Sequence, residues 1–184
     1  MLENNLVVIA EIANAHQGSV REAISLYESS KNSGANAVKF QIYTAHELLV
    51  KSHSRFEHFE KQSFSEKDWR YIFSEINKDE IEIYADVFGL DSLNVATQNK
   101  LDGIKVHSSD LGNMHLLEEI KKYKGKIFIS AGGSTAPELV TFINPLLETG
   151  KAKELVLMHG FQTYPTPIDE ANLNKIFFLK KLFG

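Results

Sequence analysis

Short apolar runs at residues 6–10, 37–40, 81–85, 103–106, 126–130 and 155–158 punctuate the chain, separated by longer stretches of helical periodicity. Runs such as LVVIA and ELVLM lack alternation, which suits strands covered on both faces of a parallel sheet. Between them, apolar residues recur at helical spacing over 20–33, 65–77, 90–98, 114–122 and 137–149. A further helix is predicted over 169–183, after the turn Tyr164-Pro165-Thr166-Pro167. Capping signals agree. Ser65 stands at an N-cap position, Thr135 and Glu138 form a capping box with Pro137 in the first turn, and Gly34 and Gly150 suit left-handed helix ends. Strand, helix and parallel strand then predict right-handed crossovers. The pattern reads as an α/β fold, a TIM-type (β/α) barrel with about six of its eight units, against ~250 residues for a typical closed barrel. One connection, 42–64, is too long for a routine turn. Its His46, His53, Arg55, His58 and Phe59 suggest a lid or binding loop, with His53 and His58 solvated.

Composition narrows the class. With 184 residues, 43% hydrophobic and 24% charged, one domain spanning 1–184 is expected. A formal charge of -4 gives no global attraction to nucleic acid or anionic lipid, so the expected partner is small and any anion site is built locally. Zero cysteines exclude disulfides and thiolate chemistry and fit a reducing compartment. The N-terminal apolar stretch lacks a basic leader and is interrupted by Glu11, and no run reaches spanning length. A cytoplasmic protein with no membrane partner is expected.

Each apolar run is followed by polar residues: Glu11, Gln41, Asp86, then the clusters 107–110, 132–135 and 159–164. In parallel α/β folds, ligands bind at those carboxyl ends. Lys39 and Gln41, two apart on a strand, point to the same side, and Lys105 repeats the arrangement. Two such lysines could bind a ligand carrying phosphate and carboxylate; the alternative is ion pairing with Glu11 or Asp86. Continued strand placement would bury Glu11, a carboxylate that then needs a partner, and it could orient or deprotonate a hydroxyl. Ser108, Ser130, Gly132, Gly133 and Ser134 offer hydroxyls and permissive backbone N–H groups beside a helix start, an anion cradle or ordinary turn residues. His16, His107, His115 and His159 show no compact ligand spacing, so no metal site is expected within the chain. Tyr164 could close a pocket wall or simply pack its turn.

At AEIANAHQG, VKFQ, GIKVHSSD, ISAGG and LVLMHGFQTYPTP the chain resembles the sialic acid synthase family, which includes N-acetylneuraminate, legionaminate and pseudaminate synthases. The resemblance implies the amino-terminal part of a (β/α)8 barrel, without the small antifreeze-like domain that usually follows it. It implies a transferase that condenses phosphoenolpyruvate with an N-acylated amino sugar of the N-acetylmannosamine type, giving a nonulosonic acid for surface glycans and releasing phosphate. It also implies a divalent metal, manganese or magnesium, to polarise the sugar carbonyl, and a homo-oligomer. Position by position, Lys39, Gln41, Lys105, Ser108, Ser130 and Gln162 fall where the family contacts phosphoenolpyruvate. Gln162 replaces a usual asparagine. Glu11 and Tyr164 fall at sugar-contacting positions, and Asp110 at a position usually held by glutamate.

Three departures carry expectations of their own. Ala85-Asp86-Val87-Phe88 stands where the family has Ser-Thr-Pro-Phe, so Asp86 would repel a substrate anion unless paired or protonated. Ala15-His16 replaces an Asn-His pair, with Asn14 displaced by one position. The family's two metal-binding histidines belong to strands beyond Gly184, so the chain alone is expected not to complete the metal-dependent reaction. Two alternatives stand beside this reading: a metal-free aldolase using Lys105 or Lys39 as a Schiff-base nucleophile, and a non-catalytic sugar- or phosphate-binding or split-barrel module with exposed edges.

Overall fold

The computed structural model describes residues 6–76, 80–150, 154–163 and 165–184. It is an α/β fold whose six strands follow chain order in the sheet, β1 (Ile9–Ala13), β2 (Ala37–Ile42), β3 (Glu82–Val87), β4 (Gly103–Val106), β5 (Lys126–Ser130) and β6 (Leu155–Met158). The pairings β1–β2, β2–β3 and β5–β6 are parallel, as unbroken apolar runs require. The chain divides into two compact units, one ending at Ile104 and one beginning at Lys105.

In the first unit, β2 and β3 are the most enclosed strands. On β2, Val38, Phe40 and Ile42 are buried, and Phe40 meets Trp69 and Phe73 of α4 (Glu66–Glu75) edge-on at 5.9 and 5.6 Å. Helix α1 (Val20–Asn32) buries Ala23 and Tyr27, and Gly34 just beyond it has φ +85°, the left-handed end its position predicted. Ser65 caps α4 by accepting from the Asp68 amide, while Asp68 accepts from Ser65 N in return.

The strand ends differ from expectation in three places. β1 spans Ile9–Ala13 rather than 6–10, because its ladder to β2 runs through the charged Glu11, which lies opposite Lys39. Leu6, Val7 and Val8 are left exposed. β2 and β3 run on through Gln41 and Asp86, which lie opposite each other and satisfy polar groups across the ladder. The long connection also acquires structure. α2 (Ala45–Leu48) and α3 (Phe56–Gln62) occupy it, and Glu47 accepts from Thr44 N, Ser92 N and Ser92 Oγ, fastening the connection to the start of α5 (Leu90–Gln98). A Cβ on Gly89 would lie 2.5 Å from Glu47 Oε1, so a side chain there would push the Glu47 carboxylate off its bonds. His53 and His58 are exposed, as expected.

In the second unit, α6 (Met114–Ile120) buries Leu116, Leu117 and Ile120, and α7 (Ala136–Glu148) buries Leu139, Phe142, Ile143 and Leu146. The Thr135 N–H and hydroxyl both donate to Glu138, at 2.7 and 2.8 Å, which holds the Glu138 carboxyl below its usual range. The last helix, α8, spans Asn174–Phe183 rather than starting at 169, because Pro167 leads into a short 3-10 turn at Ile168–Glu170. Leu179 is its buried residue, while Ile176, Phe177, Phe178 and Leu182 are exposed. Among the described residues no helix is long and apolar enough to cross a membrane.

Candidate functional site

In the first unit the carboxyl ends of β1, β2 and β3 bring predicted residues together as an ion-paired cluster. Lys39 Nζ donates to Asp86 Oδ2 at 2.7 Å and forms a second ion pair with Glu11. Gln41 Nε2 lies 3.5 Å from the same Asp86 oxygen, so Lys39 and Gln41 share a side of the sheet as their spacing predicts. Asp86 is 1% exposed and paired, which meets the condition its unusual position imposed. Glu11 is not buried; its side chain keeps 43% of its exposure, because the strand places it on the open side of the cluster.

Further polar groups are buried in the same unit. Tyr43 donates its hydroxyl to Asn14 Oδ1 at 3.0 Å, and burial pushes its pKa up to about 12 despite that bond. His16 is 1% exposed and stacks on Phe64 at 4.5 Å. Its Nδ1 accepts from Gly18 N at 3.1 Å, its Nε2 is buried without a partner, and burial lowers its pKa. The displaced asparagine of the first motif therefore still has a role: Asn14 holds Tyr43.

In the second unit the loops after β4, β5 and β6 converge. Gln162 Nε2 donates to Ser108 Oγ at 2.7 Å and to Gly132 O at 2.9 Å, joining residues from three separate strand ends. The glycines are needed for this approach. A Cβ on Gly133, which has φ +69°, would lie 2.9 Å from Gln162 Cγ, and one on Gly132 would lie 2.8 Å from Gly160 O. Ser108, Gly132, Gly133, Ser134 and Gln162 line a cavity of about 730 Å³. Lys105 Nζ is 3.4 Å from His107 Nε2. Asp110 lies in the 3-10 turn Ser108–Asp110, where burial raises its pKa against the opposing effects of Ser109 and His107. Ser130 ends β5, partly buried, and Tyr164 lies outside the described residues.

Two contacts here had no sequence signal. Lys175 of α8 donates to Ala131 O at 2.9 Å and Ser134 O at 3.2 Å, and His159 Nε2 is 2.7 Å from Ala171 O. Both are tertiary contacts to backbone, which no spacing rule encodes.

Among the described residues no three His, Asp or Glu side chains gather as a set able to hold a metal ion. The donor set among the described residues does not fit a divalent metal site.

In parallel α/β folds ligands bind at the carboxyl ends of the strands, where the first unit carries an ion-paired lysine and the second a polar-lined cavity. The chain belongs to the NeuB family, which it matches over residues 26–184. It is 27% identical over 192 residues to N,N'-diacetyllegionaminic acid synthase of Campylobacter jejuni, covering 96% of this chain and 58% of that protein. It is 25% identical over 197 residues to N-acetylneuraminate-9-phosphate synthase of Drosophila melanogaster, covering 99% of this chain and 52% of that one. The crystal structure of N-acetylneuraminic acid (sialic acid) synthetase from Leptospira borgpetersenii, in complex with citrate, superposes with a TM-score of 0.87 at 25% identity, covering 97% of this chain and 62% of that chain. The chain thus spans little more than half the length of the curated relatives it matches.

Proposed function

We propose that this chain carries the phosphoenolpyruvate-binding part of a nonulosonic acid synthase, a transferase that joins phosphoenolpyruvate to an N-acylated amino sugar. The observation that supports it best is the Gln162 bridge. Ser108, Gly132 and Gln162 come from three motifs separated in sequence, and one side-chain amide ties them at the edge of a cavity.

In this reading the enol C3 of phosphoenolpyruvate attacks the aldehyde carbon of the open-chain sugar, forming the new C–C bond as the carbonyl oxygen takes a proton. Water then adds at C2, and phosphate departs with the bridging oxygen by C–O cleavage. Lys39 and Lys105 offset anionic charge, with Gln41, Ser108, Ser130 and Gln162 as hydrogen-bonding groups. Glu11, on the open side of its cluster, positions the sugar hydroxyl or relays its proton. Tyr164 and Asp110 serve the sugar, and Asp86 acts through Lys39, whose ammonium it fixes.

The aldolase alternative fares worse at Lys39. That nitrogen is engaged as an ammonium by two carboxylates, whereas imine formation needs a neutral amine. The test is calorimetric titration with phosphoenolpyruvate and with pyruvate, together with borohydride reduction read by mass spectrometry. Saturable binding of phosphoenolpyruvate, weaker binding of pyruvate and no covalent adduct are expected. A reduced pyruvate adduct at Lys39 or Lys105 would overturn the synthase reading in favour of an aldolase.

A further inference from the structure

The cavity beside Gln162 poses an electrostatic problem. Its lining includes the carboxylate of Glu138 and no lysine, arginine or histidine. An anion entering it needs positive charge from elsewhere. The loop 131–134 indicates where that charge comes from. Three of its carbonyls are engaged by side-chain donors: Ala131 O and Ser134 O by Lys175, and Gly132 O by Gln162. The amides of Gly132, Gly133 and Ser134 donate to no other group among the described residues. A backbone stretch with its carbonyls drawn away, its N–H groups unspent and a left-handed glycine at Gly133 is organised as an anion-binding nest.

Lys175 is costly where it stands. It occupies the second position of α8, where a cation opposes the helix dipole, while Lys180 and Lys181 sit in the favoured last turn. Its two bonds to the loop offset that cost, and helix stability alone gives no reason for them. We propose that Lys175 is a positioning residue for the anion-binding end of the site. From behind the loop it holds two carbonyls away from the ligand and supplies the positive charge that the cavity lining lacks, acting on the phosphate or carboxylate of the ligand through the amides of Gly132, Gly133 and Ser134. This rests on the phosphoenolpyruvate reading above for the identity of the ligand, though not for the charge of what the nest takes.

The experiment follows the amide resonances of Gly132, Gly133 and Ser134 in the 15N-labelled full chain during titration with inorganic phosphate and, separately, phosphoenolpyruvate. It compares the unmodified chain with Lys175→Met and Lys175→Arg, and records each thermal midpoint without ligand. The unmodified chain is expected to show saturable shifts with both ligands. Lys175→Met should bind about tenfold more weakly, and Lys175→Arg should restore most of the affinity. A merely structural lysine would change the midpoint and leave phosphate affinity in the folded fraction unaltered. Equal affinities in the methionine variant overturn the role of Lys175 and leave the phosphoenolpyruvate reading standing. Shifts with inorganic phosphate but none with phosphoenolpyruvate overturn that reading and leave Lys175 in place. Silence of all three amides with both ligands in the unmodified chain overturns the nest itself. If Lys175→Met does not fold, failure of the arginine variant to bind phosphate at an unchanged midpoint overturns the proposal.

Discussion

The two units solve the same problem at their strand ends in opposite ways. Up to Ile104 the charged groups are spent on one another: Lys39 is held by Glu11 and Asp86, and the pairing needs no ligand. From Lys105 on, donors are held in reserve, with the amides of Gly132–Ser134 open while Lys175 and Gln162 occupy the carbonyls. A closed cluster gains rigidity and a fixed ammonium; an open cradle gains capacity for a ligand. The difference teaches that a charged residue at a strand end meets a ligand on terms set by the partners it already has inside the protein. Lys39 offers a ligand a fixed, partly neutralised ammonium, whereas the loop after β5 offers unspent donors.

The comparison breaks most severely at Lys39. Lys39→Met removes the ammonium that pairs with the buried Asp86 carboxylate, and urea denaturation should show a loss of about 3–5 kcal/mol. Adding Asp86→Asn to that variant should recover more than half of the loss, because a buried negative charge deprived of its ammonium, rather than the missing contact, carries most of it. Next comes Gly133→Ala in the open unit. Its left-handed backbone and the 2.9 Å approach to Gln162 Cγ should cost about 1–3 kcal/mol and weaken phosphoenolpyruvate binding by displacing Gln162. Gln162→Asn is milder. The shorter amide cannot keep both Ser108 and Gly132, so a loss of about 1 kcal/mol, a few-fold in affinity, is expected by calorimetry.

The smallest effect is one of pH and belongs to the closed unit. His16 is buried with its pKa lowered, so the unfolded chain takes up a proton near the ordinary value of 6.5 before the folded chain does. Unfolding therefore binds protons, and stability should fall as pH drops through about 6.5 until the lowered folded value is passed. Thermal melts at stepped pH should show this slope, and His16→Phe should flatten it.

Much of the scaffold was legible in the chain itself, for reasons particular residues make plain. β4, β5 and β6 begin and end where their apolar runs do, since glycine, lysine or a polar cluster bounds each of them. β1, β2 and β3 extend past theirs because Glu11, Gln41 and Asp86 find partners across the ladder, and hydropathy alone cannot foresee such pairing. Two-residue periodicity put Lys39 and Gln41 on one side, while ion pairing of Lys39 with Glu11 or Asp86 stood only as the alternative to a ligand site; the structure shows both pairs. The Gln162 bridge was half legible. Its glycines announced a tight turn, but which side chain would press against them depends on chain segments far apart in sequence. Glu47 at Ser92 and Lys175 at the loop carbonyls were not legible at all, for each acts through backbone groups that carry no residue-specific mark.

Hydrogen–deuterium exchange with and without phosphoenolpyruvate tests the division between closed and open strand ends most directly. Strong ligand-dependent protection is expected in peptides covering residues 131–135 and 159–163, with much smaller change in those covering 37–42 and 82–87. Protection confined to the peptides of β2 and β3, with none at 131–135, would contradict it.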